Sequence, residues 1–400
     1  MKVAIVQEIV DNRRGGAETS TLEMARQLAR LGLDVTVVCR VANGTALREE
    51  FGAGRVAIRA LVPGVTRSNF AGTRKFIEAA ASASKTGEFN VVHAITPCPG
   101  AAVYQPRGGT YVETIRRSVE LGRTPLTRFF KQISRKLNRR QQYLLAIERE
   151  LLTSNRPPLV AAVSDYVRRQ IAQDYPNLPA ENTIVAFNGV DVTTVTPTER
   201  ARRRADLRAE LGIRGDLPLV LFAAHNFKLK GLAELVQAAD ITGSRRQWTA
   251  IVVGRDNPRP YQRLARRRGV GARFRFLGPR GDMPNLFAGV DLLAHPTWYD
   301  PCSRVVLEAL CHGVPVVTTR FNGAAEVVLE GRNGAVIGRP DDLGGLAAAI
   351  DECLSPRLAA MCLSDAAVTQ ERLSMARHAR ELEQVYRRIM HACATANPRN

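Results

Sequence analysis

At 400 residues, the chain is too long for one ordinary α/β domain, and its 45% hydrophobic content suffices for two cores of roughly 150–200 residues each. Lys and Arg number 57 against 38 Asp and Glu, a net charge of +19, which points to polyanionic neighbours such as nucleic acid, anionic lipid or phosphorylated glycan. The opening MKVAIVQEIV is too short an apolar run for a signal peptide and no stretch approaches roughly 18 apolar residues, so neither a secretory leader nor a transmembrane helix is expected.

Residues 2–6 read as a buried strand, 11–16 (DNRRGG) as a loop, 17–31 as a helix and 35–39 as a second strand, a βαβ start that favours a parallel sheet. Gly15 and Gly16 let backbone approach a bound group just before a helix N-terminus. The loop is not GxGxxG, and Arg40 stands where a dinucleotide site carries an acid, so that reading is rejected. A strand at 56–61, a helix at 71–85 and a strand at 90–94 follow. His93 and Thr96 lie at the carboxyl end of that last strand, where ligands of parallel sheets bind, and are candidate acceptor contacts. Residues 104–123 read as a mobile loop. A single long helix is expected over 125–153, with Phe130, Ile133, Leu137, Leu144, Ile147 and Leu151 at helical spacing. Arg128, Lys131, Arg135, Lys136, Arg139 and Arg140 crowd its first half, the pattern of a helix that meets an anionic membrane surface or a phosphoglycan. Strands at 159–163 and 183–187 complete the first half, and a domain boundary is placed near 192–200.

The second half repeats the β–α rhythm, with strands at 217–223, 248–253, 273–277, 291–295, 314–318 and 335–337. Lys230 opens the helix after the first of these and is placed to neutralise phosphate, with Lys228 beside it. The turn at Leu277-Gly278 offers backbone to the edge of a base. Asp300 precedes a helix expected over 304–312, with Ser303 as its N-cap, and Glu308 lies inside it. Bare N–H groups at that helix start would hold a phosphate, and the two acids would accept hydrogen bonds from sugar hydroxyls. The loop Asn322 to Glu326 lies beside the same unit. Seven cysteines, at 39, 98, 302, 311, 353, 362 and 393, form no CxxC pair and read as reduced, buried thiols. A last helix is expected over 375–394.

Five features in this order resemble the retaining GT-B glycosyltransferases of family 4. They are Gly15-Gly16-Ala17-Glu18, Val163-Ser164, Asn188-Gly189-Val190-Asp191, Asp300 and Glu308 ahead of Gly313-Val314-Pro315-Val316-Val317, and Glu330-Gly331 with Asn333-Gly334. PGAAVYQPRGGTYVETIRRS, the basic helix and Ala146 to Arg149 are most similar to lipopolysaccharide core glucosyltransferases acting on heptose. The resemblance implies two Rossmann-like domains facing a cleft. The acceptor-side domain would span 1–195, joined by the C-terminal helix of about 375–400, and the nucleotide-sugar domain 196–374. Glu308 would bind ribose hydroxyls, Asp300 the donor sugar, and Lys230 the diphosphate, with backbone N–H groups of Ser303, Arg304, Val305, Gly15 and Gly16. The donor would be a UDP-sugar used as substrate, with no cofactor and no metal. The acceptor would be a glycan or glycolipid, and the location cytoplasmic, on the inner face of the membrane through the basic helix.

Three positions depart from the family pattern: Asp300 stands where Glu is usual, His225 where Arg is usual, and Ile95 in place of a second His. They bear on donor-sugar identity, diphosphate contacts and acceptor contacts respectively. Two other readings are a GT-B UDP-N-acetylhexosamine epimerase, for which acids and a His placed for elimination are not evident, and a nucleic-acid-binding protein. At 6% aromatic content, with few aromatics among the arginines, no nucleic-acid partner is expected. A non-catalytic sugar-binding relative is disfavoured by the retention of both acids.

Overall fold

The structure is a computed structural model, and it describes residues 1–11, 16–43, 48–62, 69–122, 124–213, 215, 217–242 and 247–396. The chain divides into two compact units, Met1–Gly189 with Met375–Asn400, and Val190–Ser374.

The strands of the first unit are β1 (Lys2–Val6), β2 (Ile9–Asp11), β3 (Asp34–Cys39), β4 (Val41–Asn43), β5 (Arg48–Phe51), β6 (Gly54–Ala60), β7 (Val91–Ala94), β8 (Val103–Tyr104), β9 (Leu159–Ala162) and β10 (Thr183–Val185). Eight of them form one sheet in the order β10-β9-β8-β7-β1-β3-β6-β5, and β2 pairs with β4 apart from it. All pairs in the large sheet are parallel except β5 with β6. The central strands are apolar at nearly every position because helices cover both faces, as parallel sheets require. Met375, Ala379, Leu382 and Tyr386 recur at spacings of four and three along the helix Met375–Ala396. This stripe is buried in the first unit's core with Met24 and Leu28 of the helix Gly16–Arg30.

The second unit carries β11 (Leu219–Ala223), β12 (Thr249–Val253), β13 (Phe274–Gly278), β14 (Leu292–His295), β15 (Val316–Thr319) and β16 (Gly334–Ile337). They form one parallel sheet in the order β13-β12-β11-β14-β15-β16. Numbered within the unit this is 3-2-1-4-5-6, the doubly wound order, with its reversal between β11 and β14. Ligands of such sheets bind outside the carboxyl ends of the strands at that reversal. Ala223 and His295 end the two strands there.

Two sequence expectations are corrected. Residues 104–123 are not one loop: Tyr111–Glu120 is a helix, capped by the Thr110 side chain, which accepts the Glu113 N–H at 3.1 Å. The long helix expected over 125–153 is two helices, Pro125–Leu137 and Arg139–Leu152, meeting at Asn138. Asn138 takes a non-helical conformation, and its side chain accepts the Gln141 N–H at 3.0 Å, so a new N-cap interrupts the apolar stripe. Leu144, Leu145, Ile147 and Leu151 of the second helix are buried, whereas no residue of the first is. The charge-dense stretch at the expected boundary forms the helix Pro197–Glu210, capped by Thr196.

Candidate functional site

In the second unit the loops after β11 and β14 are tied together before any functional side chain is placed. The Leu229 carbonyl accepts the Trp298 N–H at 2.9 Å and the Thr297 hydroxyl at 3.2 Å. Gly231 follows with φ +82, and a Cβ there would stand 2.0 Å from the Pro296 carbonyl oxygen. Only glycine permits this approach, and it sets Lys230 beside the 296–303 loop. Gly231→Ala is expected to destabilise the unit by about 2–3 kcal/mol, through the left-handed φ and the overlap together. Thermal melts would measure the loss, and unchanged melting would show that the close approach is not needed.

Lys230 Nζ lies 2.6 Å from Asp300 Oδ2 and 2.9 Å from the Tyr299 carbonyl. His295 Nε2 is 3.4 Å from the same carboxylate oxygen and 3.3 Å from Ser303 Oγ. Burial pushes the Asp300 carboxyl up, but Lys230 and His295 outweigh it and hold the group well below the usual carboxylate range, so it stays ionised. Burial and then Lys230 push His295 down against the opposing pull of Asp300, and the imidazole is neutral at pH 7. The backbone of Asp300 is held on both sides: its N–H donates to the Phe321 carbonyl at 2.9 Å and its carbonyl accepts from Gly323 at 2.9 Å. Asn322 Oδ1 accepts the N–H groups of Ser303 (3.1 Å) and Ala324 (3.0 Å), while its Nδ2 donates to Thr318 Oγ1 at 3.0 Å. One turn into the helix Arg304–Cys311, Glu308 Oε1 accepts from Arg304 Nε at 2.6 Å. Each acid of the unit therefore holds a cation, and both acids are mostly buried.

Residues 14–194 match the family model described as Glycosyltransferase Family 4, and residues 218–356 that described as Glycosyl transferases group 1, together four-fifths of the chain. The chain belongs to the family 4 glycosyltransferases. The lipopolysaccharide glucosyltransferase WaaG of Escherichia coli is 36% identical over 135 residues, 33% of this chain and 36% of that protein. Spore coat protein SA of Bacillus subtilis is 31% identical over 193 residues, 44% of this chain and 50% of that protein. The chain thus spans between a third and a half of the length of these curated relatives. The crystal structure of WaaG superposes with a TM-score of 0.76 at 22% identity, covering 95% of this chain and 99% of the other. Anabaena HepE in complex with UDP-glucose superposes with a TM-score of 0.67 at 21% identity, covering 96% and 99%. At these identities the likeness establishes the GT-B fold.

The structure distributes the family 4 site residues expected from sequence unevenly. Lys230 and Asp300, 70 positions apart, are in contact, and Glu308 shares its helix with Arg304 and Val305. Ser303 stands at the N-cap but makes no side-chain capping bond. Its N–H, expected to face phosphate, donates instead to Asn322 Oδ1 at 3.1 Å. Gly278 ends β13 with φ +71, and its carbonyl accepts the Gly254 N–H at 2.9 Å. Lys228 is exposed on the loop before Lys230. Gly15 lies outside the described residues, and Gly16 is exposed at the start of its helix. On the first unit, His93 is not an accessible contact: it is fully buried, with Nδ1 2.5 Å from the Tyr386 hydroxyl. Thr96 uses its hydroxyl to accept the Glu8 N–H at 2.9 Å. The Asn322 loop, expected beside this site, supplies the Asn322 side chain to it, whereas His295 is not among the residues expected there. His295 carries the same sequence signal as His93, a polar residue ending a parallel strand.

Proposed function

We propose that this protein is a retaining hexosyltransferase that moves a hexose, with glucose as the favoured sugar, from a UDP-sugar to a glycan or glycolipid acceptor of the lipopolysaccharide-core kind. The observation that carries the reading is the Lys230–Asp300–His295 cluster at the strand-order reversal of a Rossmann sheet, with Glu308 on the adjoining helix. It suits a nucleotide-sugar by exchange of partners. The diphosphate takes over Lys230 and Arg304, and sugar hydroxyls take over the carboxylates those cations had held, Asp300 facing the hexose and Glu308 the ribose. No protein nucleophile is required. The bond from the anomeric carbon to the diphosphate oxygen breaks, the acceptor oxygen bonds on the same face, and its proton passes to the departing diphosphate. Rate enhancement then comes from positioning and from charge stabilisation of the leaving group. The names of the relatives support the donor and acceptor class: WaaG is named a lipopolysaccharide glucosyltransferase, and HepE is described with UDP-glucose.

Thermal shift with UDP-, GDP- and ADP-sugars, followed by UDP release with lipopolysaccharide-core oligosaccharide, tests the reading. Selective stabilisation by the UDP-sugar is expected from mass action. No stabilisation and no release with any donor would reject it.

The helix Pro125–Leu137 supports a membrane-held acceptor. Arg128 Nε donates to the Gly122 carbonyl at 2.8 Å and Lys131 Nζ to the Ser118 carbonyl at 3.0 Å, so part of its basic face turns toward its own unit. Leu126, Phe129, Phe130, Ile133 and Leu137 are left between 40% and 74% exposed. An apolar face turned outward beside Arg135 and Lys136 fits an anionic bilayer surface. Among the described residues no helix is long and apolar enough to cross a membrane. Replacing Leu126, Phe129 and Phe130 by Ser is expected to weaken binding to anionic phospholipid vesicles at least tenfold, since each inserted side chain contributes about 1.5–3 kcal/mol. UDP binding should be unchanged. Cosedimentation reads the first and calorimetry the second.

A further inference from the structure

Sequence periodicity places Arg139 and Arg140 on the basic face of a long surface helix, and the structure puts them elsewhere. The break at Asn138 makes them the first two residues of a new helix. The Arg139 guanidinium lies 4.7 Å over the Phe70 ring. Arg140 turns toward the end of β1, where its Nη2 donates to Glu8 Oε2 and its Nε to Thr73 Oγ1 at 2.9 Å. Glu8 is itself fixed from four sides. Its Oε1 accepts from Thr73 Oγ1 at 2.6 Å and from Arg40 Nε at 3.1 Å, its N–H donates to Thr96, and its carbonyl accepts the Arg40 N–H at 2.9 Å. Arg40 from the end of β3, Thr73 of the helix Phe70–Ser84 and Arg140 thus converge on the Glu8 carboxylate, while Thr96 after β7 holds its backbone.

We propose that Arg140 is a binding residue for an anionic substituent, phosphate or carboxylate, on the acceptor glycan. The proposal rests on the glycosyltransferase reading and extends it to the chemistry of the acceptor. Three observations carry it. In the first sheet β1 lies between β3 and β7, so the strand order reverses beside it, and ligands of parallel sheets bind at carboxyl ends there. The Glu8 side chain is 4% exposed and that of Arg40 0%, whereas Arg140 is 33% exposed. With Nε and Nη2 held, its Nη1 edge is bonded to no described residue and stays available for a planar, two-point contact with an oxyanion. One carboxylate shared by two guanidiniums neutralises Arg140 incompletely, and the first turn of the helix Arg139–Leu152 adds the positive end of its dipole. Glu8 and Thr73 are positioning residues, because they aim the guanidinium without meeting the ligand.

The test uses the full chain saturated with UDP and four probes: methyl α-mannoside, its 6-phosphate, methyl α-glucuronide and inorganic phosphate, each titrated by calorimetry. Both anionic glycosides are expected to bind wild type about tenfold or more tighter than the neutral mannoside, the effect of one charge-assisted contact. The preference should vanish in Arg140→Gln and in Glu8→Gln, and fall several-fold in Arg140→Lys, which keeps the charge and loses the fork. UDP affinity should be the same in all four proteins. Equal binding of neutral and anionic glycosides to wild type overturns the proposal, as does a preference that survives in Arg140→Gln. Inorganic phosphate binding as tightly as the glycoside phosphate overturns it as well, since the site would then read a free ion and not a glycan. If Arg140→Gln does not fold, Arg140→Lys decides: a several-fold fall in the preference supports the proposal and an undiminished preference overturns it. Absence of UDP binding in wild type would be a failure of the enzyme reading, scored separately.

Discussion

Lys230→Met is expected to lower kcat/KM for the UDP-sugar by about 10²–10³-fold, the usual loss when a group facing leaving-group charge is removed. It should also destabilise the second unit by about 3 kcal/mol, because Asp300, mostly buried, loses its ammonium partner and, among the described residues, keeps His295 at 3.4 Å. The two effects separate in a double variant. Lys230→Met with Asp300→Leu removes both charges and should recover most of the stability while activity stays lost. Glu308→Ala should abolish UDP binding with the fold intact. Initial rates, calorimetry and thermal melts measure these outcomes. A Lys230→Met enzyme retaining a third of wild-type kcat/KM would exclude the diphosphate role, and unchanged UDP affinity in Glu308→Ala would exclude the ribose role.

Acid is expected to unfold the second unit before the first. His312 is buried and stacked on Phe287 at 5.2 Å, and burial with Arg200 and Arg203 pushes it down to about 4. His295 is displaced in the same direction, and its Nδ1 is buried without a partner, so a proton there would add an unsatisfied donor. A histidine whose folded pKa is depressed contributes stability that is full above its unfolded value of 6.5 and is lost as pH falls toward the folded value. Between pH 6.5 and 5, His312 alone loses about 2 kcal/mol, and His295 adds to the loss. The first unit has the same liability in His93, pushed down to about 3 by burial and Arg107, and in His378. There Glu148 opposes it. This buried carboxyl accepts the hydroxyls of Tyr104 (2.6 Å) and Tyr175 (2.9 Å) and the Tyr111 N–H (2.8 Å), yet burial raises it to about 7. An acid raised in the folded state stabilises most below its unfolded value of 4.5 and loses that contribution as pH rises through 7, a window worth about 3 kcal/mol of opposite sign. Calorimetric scans at pH 7.5 and 5 should show the larger loss in the Val190–Ser374 transition, and His312→Asn should reduce it. A first unit that melts ahead of the second at pH 5 would contradict the assignment.

Much of the architecture was legible without coordinates because it rests on short-range patterns. Apolar runs such as Leu219–Ala223 and Val316–Thr319, separated by helical periodicity, imply parallel strands covered on both faces, and the sheets have that form. The acids at 300 and 308 bracket a helix start whose position follows from local chemistry, and their family resemblance was carried by the same segment. Expectation and structure part where a local pattern has two outcomes. The 125–153 stripe continues across Asn138 in periodicity, yet an Asn side chain able to cap the following helix divides it. Residues 104–123 looked irregular because Gly108 and Gly109 obscure the capped helix that begins at Tyr111.

The sequence by itself determined the two Rossmann rhythms, the family and the acid pair, since strand burial, caps and motif spacing act over a few residues. The tertiary structure decided which polar groups are functional candidates. It buried His93 under Tyr386, and it placed His295, at the equivalent end of another strand, beside Asp300. It paired Lys230 with Asp300 across 70 positions and drew Arg140 from an apparent surface face onto Glu8, 132 positions away. The physical reason is common to all four. Whether a titratable side chain is a core strut or a ligand contact depends on desolvation and on partners brought in from distant elements, and no local pattern encodes either.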